Sequence, residues 1–239
     1  MIGSAAFRRV LRRVMKNLAP EFSERKGIYT RETEAQLHCI QFAPGKWGKE
    51  FSADIGIHFA RLPSFEAFGH AWKPQHPEPD TCCFKRRWRD SANEQLFPYG
   101  DTNDDAEKFL SAIVTDCLTT FDQSSTSWGN GHPLLEKLPP ETLESDAAIF
   151  KRLMDCPDVD EKQRLSNTMV IRKMFPGWYP HVSPMCIMLA HFAKEAGDLQ
   201  RVSDYISITS APGQGHLMGP KAEQLVDALK SRRTGKRRR

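Results

Sequence analysis

Hydrophobic positions recur with two different periods along the chain, and the change from one to the other sets the architecture. Phe7, Val10, Leu11, Val14 and Leu18 fall on one stripe of a 3.6-residue repeat with arginines elsewhere, which predicts a helix docked on a core. After Pro20 the pattern turns to β-prone runs, Gly27–Glu32 and Leu37–Phe42, separated by polar residues. In 51–59, Phe51, Ala53, Ile55, Ile57 and Phe59 alternate strictly with Ser52, Asp54, Gly56 and His58. This predicts a strand with one apolar and one solvated polar face, paired with Leu37–Phe42 as an antiparallel hairpin. Thr81–Trp88 reads as a further strand with Cys82, Phe84, Arg86 and Trp88 on one side and its adjacent partner Cys83 on the other.

Helical spacing returns at Phe109, Ile113, Cys117 and Phe121, with Asp104 or Asp105 as the expected cap and a loop from Ser124. From about residue 141 the texture is helical throughout. Ser145 caps 146–154, 160–175 follows, then 181–197 and 199–209 form a pair broken at Gly197-Asp198, and Lys221–Lys230 is the last helix. The expected fold is α+β: an antiparallel sheet of about four strands, an N-terminal helix and a mostly helical C-terminal part. The expected boundaries are an α+β domain over 1–140, a helical extension over 141–230 and a disordered basic tail over 231–239.

Charge refines this picture. The chain of 239 residues carries a net +4, yet eleven of its basic residues lie in 1–16 and 231–239, where there is no acid. The remainder holds 23 basic against 30 acidic residues, so a protein with an acidic body and basic ends is expected, and its pI alone does not imply nucleic-acid binding. Arg232, Arg233, Lys236, Arg237, Arg238 and Arg239 are a candidate phosphate-contacting tail, weighed against a solubilising end. The longest later apolar run, Met185–Ala190, is too short for a bilayer, so no membrane association is expected. Six scattered cysteines without a signal peptide favour reduced thiols and a cytoplasmic location.

Candidate chemistry is sparse. His70, His76, Cys82 and Cys83 do not form a zinc spacing, and neither a metal nor a cofactor is expected. Gly213–Lys221 fails as a phosphate loop because Pro220 interrupts it and Ala222 replaces the required hydroxyl. Asp54 and His58 share the polar strand face about 13 Å apart, too far for a dyad, and His38 on the neighbouring strand is placed to approach one of them. Arg86 and Trp88, within Lys85–Arg89, combine cation and aromatic as base stacking requires, or else protect an edge strand. These five residues, His38, Asp54, His58, Arg86 and Trp88, are the candidate binding positions.

The run Leu18–Glu32, Cys39-Ile-Gln-Phe42, Trp47 and Phe51–Ile57 resemble a bacterial family known only as a domain of unknown function. Phe22, Gln41 and Gly56 match its pattern, Glu21 replaces its usual Gly, and Thr81–Trp88 resembles its later Cys/Arg-rich strand. The likeness covers about residues 5–140. It implies no catalytic residue and points to a protein-binding module of the immunity or toxin-neutralising kind. A nucleic-acid-associated protein working through basic ends, and an enzyme on the polar sheet face, are the alternatives.

Overall fold

A computed structural model describes residues 1–45, 50–60, 66–67, 70–71, 79, 82–90, 92, 94–129, 138–175, 177–178 and 182–209. The elements, in order, are α1 (Ser4–Leu18), β1 (Ser23–Arg25), β2 (Ile28–Glu32), β3 (Gln36–Pro44), β4 (Glu50–Phe59), β5 (Glu66–Ala67), β6 (His70–Ala71), β7 (Phe84–Arg87), β8 (Phe97–Pro98) and α2 (Asn103–Trp128). They continue with α3 (Pro140–Asp155), α4 (Val159–Thr168), α5 (Val170–Met174), α6 (Val182–Glu195) and α7 (Leu199–Thr209). This is the α+β arrangement read from the sequence. Contacts divide it into Met1–Ser64 with Trp72–His132, and Phe65–Ala71 with Pro133–Arg239. The basic tail, Gly213–Lys221 and the helix expected at Lys221–Lys230 lie outside the described residues.

In the first unit an antiparallel sheet runs β1-β2-β3-β4-β7, with β8 also paired to β4, giving six strands rather than about four. The two unforeseen strands, β1 and β8, hold three and two residues, too short for a period to register. The β1–β2 turn is Lys26-Gly27, both with positive φ (53° and 80°), between the paired residues Arg25 and Ile28. That is the two-residue turn whose twist suits a hairpin.

Helix α1 buries Phe7, Val10, Leu11, Val14 and Met15 and packs against α2. Leu18, expected in the stripe, is 40% exposed, because the helix ends there and Met15 fills its place. Helix α2 opens with a capping box: Thr102 accepts from the Asp105 backbone N–H while the Asp105 carboxylate accepts from Thr102. Thr102, ahead of the expected Asp104 or Asp105, is therefore the cap, and the helix runs through the expected loop to Trp128. Phe7, Phe51, Phe97, Tyr99 and Phe109 form one aromatic cluster, with Phe7 4.6 Å from Phe51 and 4.5 Å from Tyr99 between ring centres. The four buried rings among them, all but the half-buried Phe109, contribute roughly 1.5–3 kcal/mol each.

Strand β4 is buried on both faces. The solvated polar face expected for Ser52, Asp54 and His58 is thus a second covered face; β4 is a central strand, and Asp54 and His58 have side-chain partners there.

The second unit packs α3 to α7 around Leu143, Ile171, Phe175, Cys186, Leu189 and Tyr205, and holds the β5–β6 ladder. Ser145 lies inside α3, which begins at Pro140. Asp146 is fully buried and accepts hydrogen bonds from the N–H groups of Val170 (2.9 Å) and Ile171 (2.8 Å), capping α5 from α3. The α6–α7 turn falls at Gly197-Asp198 as expected, with Gly197 at φ 81° and Asp198 N–H reaching Ala193 O at 2.9 Å.

Candidate functional site

The five sequence-nominated positions do not converge. His38 sits opposite Ile57, whereas Asp54 sits opposite Gln41 and His58 opposite Leu37. Partners across an antiparallel pair share a face, so His38 points to one side of the sheet and Asp54 and His58 to the other. The approach of His38 to either of them is excluded by register.

Asp54, His58 and Trp88 are each held in a local contact. Asp54 takes a two-pronged contact from Arg87, at 2.8 and 3.0 Å. His58 Nδ1 lies 3.2 Å from Cys83 Sγ. Trp88 is 9% exposed, donates from Nε1 to Asp116 Oδ2 at 2.8 Å and packs on Phe97, so its ring is committed to the core. Arg86 lies opposite Ile55, on the His38 side.

The His38 end of the sheet is a saturated polar network. The Arg31 guanidinium only donates, and its Nε and Nη2 reach His38 Nδ1 at 3.3 and 3.1 Å. The ring proton therefore sits on Nε2, which donates to Gln36 Oε1 at 2.9 Å. Gln36 Nε2 donates to the carbonyls of Ser124 (3.1 Å) and Gly129 (2.7 Å), fastening the end of α2 to β3. His38 stacks on Phe121 with ring centres 4.5 Å apart. Burial, aided by the Arg31 charge, pulls the His38 pKa down to about 3, so the imidazole is neutral.

The other end of the same unit is open. A cavity of about 300 Å³ lies between α1, the β1–β2 hairpin and β3–β4. That volume is at the lower end for small-molecule sites. Its floor is aromatic, with Phe7, Tyr29, Phe42, Phe51 and Tyr99 all buried. Its rim carries three cations, Arg8, Arg12 and Lys26, against one acid, Glu24. Glu24 is itself engaged, paired with Arg12 at 3.3 Å and accepting from Gly27 N–H at 3.2 Å. Arg8 and Lys26 have no ion pair or hydrogen bond among the described residues.

The hydroxyls of Tyr29 and Tyr99 likewise have no hydrogen-bond partner there; the rings are buried, and the oxygens keep contact with solvent. Burial, and then Glu24, push the Tyr29 pKa up to about 12, so its hydroxyl stays a donor at neutral pH. Two phenol donors open to the same cavity offer hydrogen bonds to a polar ligand atom there.

None of the cavity residues was nominated from the sequence. The available signal was Lys26-Gly27 between two short β-prone runs, which places a cation at a hairpin tip. Among the described residues there is no cluster of three metal-ligating side chains, and no helix long and apolar enough to cross a membrane. No protein-family model, curated protein or solved structure matches the chain.

Proposed function

We propose that the protein is a binding module whose recognition site is the cavity beneath α1, and that its ligand is a small aromatic anion. The observation that carries this reading is one cavity that joins an aromatic floor, two tyrosine hydroxyls open to it and two cations without an ion pair among the described residues. A flat ring lodges against Phe7, Tyr29 and Tyr99, while its charged oxygens take Arg8, Lys26 and the tyrosine donors.

The test is calorimetric titration with 4-nitrophenyl phosphate, with 4-nitrobenzyl alcohol as the uncharged ring and inorganic phosphate as the ringless charge. The ester alone is expected to bind. Arg8→Glu and Lys26→Glu are each expected to weaken it tenfold or more. Equal affinity for the uncharged ring, or affinity untouched by both variants, refutes the reading.

The protein-partner reading has an observation of its own. Arg8, Arg9 and Lys16 are exposed along α1 and Arg25 is exposed on β1, so the cations continue past the cavity mouth. That row suits an acidic protein segment. Binding of a polyglutamate peptide that survives Tyr29→Phe and is lost in the double variant Arg9→Glu/Lys16→Glu favours it. The immunity or toxin-neutralising role rests on the family resemblance, and it takes its partner from the same experiment.

A further inference from the structure

The face of the sheet turned away from His38 carries sulfur. Cys39 on β3 lies opposite Gly56 on β4, on the face of Asp54 and His58. Cys82 and Cys83 belong to a bend rather than to β7, which begins at Phe84. Cys82 N–H closes that bend on Pro79 O at 3.2 Å. The expected strand alternation therefore does not apply, and both cysteines reach the same face: Cys82 Sγ lies 3.4 Å from Cys39 Sγ, and Cys83 Sγ lies beside His58.

Gly56 makes the thiol pair possible. A Cβ there would lie 2.6 Å from Cys82 Sγ and 2.7 Å from Cys39 Sγ, so the two sulfurs meet in the space a side chain would fill. All six cysteines are thiols. The pair links positions 43 residues apart, and bringing the sulfurs to a bond length of about 2.05 Å needs a closure of about 1.4 Å.

We propose that Cys39 and Cys82 form an oxidation site, at which a hydroperoxide converts the two thiols into an intramolecular disulfide joining β3 to the bend before β7. Cys82 is the sulfur that meets the oxidant, at 8% exposure against 0% for Cys39. Its sulfur attacks the peroxide, forming an S–O bond and breaking O–O, while the thiol proton passes to the departing alkoxide or hydroxide oxygen. Cys39 Sγ then attacks Cys82 Sγ, forming S–S and breaking S–O. Water leaves with the Cys39 proton, so two thiols and one hydroperoxide give one disulfide, one alcohol (or water) and one water. Cys83 is not a competitor, because burial raises its thiol pKa far above the ordinary range and holds it beside His58.

The experiment exposes the full chain to hydrogen peroxide, then counts alkylatable thiols under denaturing conditions and maps non-reduced peptides. The expected result is four remaining thiols and one Cys39–Cys82 linked peptide. Cys83→Ser leaves the link intact and Cys82→Ser removes it. The oxidised form should melt roughly 5–15 °C higher, because a loop of this length is closed in the unfolded chain. Six thiols still alkylatable, a sulfinic acid at Cys82 without a cross-link, or a link through Cys83 each overturns the proposal. The mapping on the unsubstituted chain decides it even where a variant fails to fold.

Discussion

The two ends of the first unit are built from similar side chains and treat them in opposite ways. At one end Arg31, His38 and Gln36 hand hydrogen bonds along a chain that closes on the Ser124 and Gly129 carbonyls. At the other, Arg8, Lys26, Tyr29 and Tyr99 stand around a cavity with their donors unspent. A buried donor that has a partner is part of the scaffold. A donor open to solvent at a cavity bonds water, which a ligand acceptor can replace. By that criterion the histidine that looked catalytic in sequence is a structural rivet, and the proposed site lies among residues with no signature.

The largest effect should come from cutting the hub of the saturated end. Gln36→Leu removes the main partner of His38 Nε2–H and the donor to the Ser124 and Gly129 carbonyls, leaving Ser125 Oγ at 3.4 Å as the remaining neighbour of His38, and a stability loss of about 2–4 kcal/mol is expected in urea denaturation. A loss below about 1 kcal/mol would show that packing, not this network, holds the end of α2.

Acid should weaken the same end. The unfolded histidine takes a proton near pH 6.5, whereas folded His38 resists until about 3, so the unfolded state binds more protons in between and is favoured as pH falls. Stability present above pH 6.5 should then fall by about 1.4 kcal/mol per pH unit through this window. Relative to His38→Gln, the natural chain is expected to lose about 2 kcal/mol more between pH 7 and pH 5; parallel curves would refute the assignment.

Hydroxyl deletions set the two ends directly against each other. Ser124 Oγ lies 3.1 Å from Gln36 Oε1 and 2.8 Å from Phe121 O, so Ser124→Ala is expected to lose about 1 kcal/mol. Tyr29→Phe removes a donor that has no partner and should leave stability within about 0.5 kcal/mol while weakening 4-nitrophenyl phosphate. Equal losses from both substitutions would erase the distinction between the ends.

The smallest effect is expected at the hairpin tip. Lys26 holds φ 53°, a region that asparagine tolerates far better than lysine. Lys26→Asn should stabilise by a few tenths of a kcal/mol in thermal melts and weaken the anion, so that stability and affinity move in opposite directions. A variant that gains both would remove Lys26 from the site.

Much of the fold was legible because it rests on period. The stripe of α1, the alternation of β4 and the Gly197-Asp198 break each report a local rule, and each was placed. Burial of the polar side of β4 was not legible: alternation distinguishes two faces, but only the chain that later covers the second face makes Asp54 and His58 interior. The cavity was invisible for a related reason. Arg8, Lys26, Tyr29 and Tyr99 are unremarkable where they stand in sequence and meet only through pairing and packing. Cys82-Cys83 misled through a one-residue assumption, since a bend before Phe84 cancels the parity on which opposite faces depend.

The packing of α1 on α2 also shapes how the chain is made. Ile2 N–H bonds Gly100 O at 2.9 Å, and the apolar stripe of α1 is sealed by a helix that begins at Asn103. At ordinary elongation rates, the interval between the end of α1 and the start of α2 is roughly 4–17 s. Throughout that interval α1 is a basic amphipathic segment with its greasy side open to the ribosome surface and to chaperones. Arg8, Arg9, Arg12 and Arg13 keep the segment charged throughout that wait.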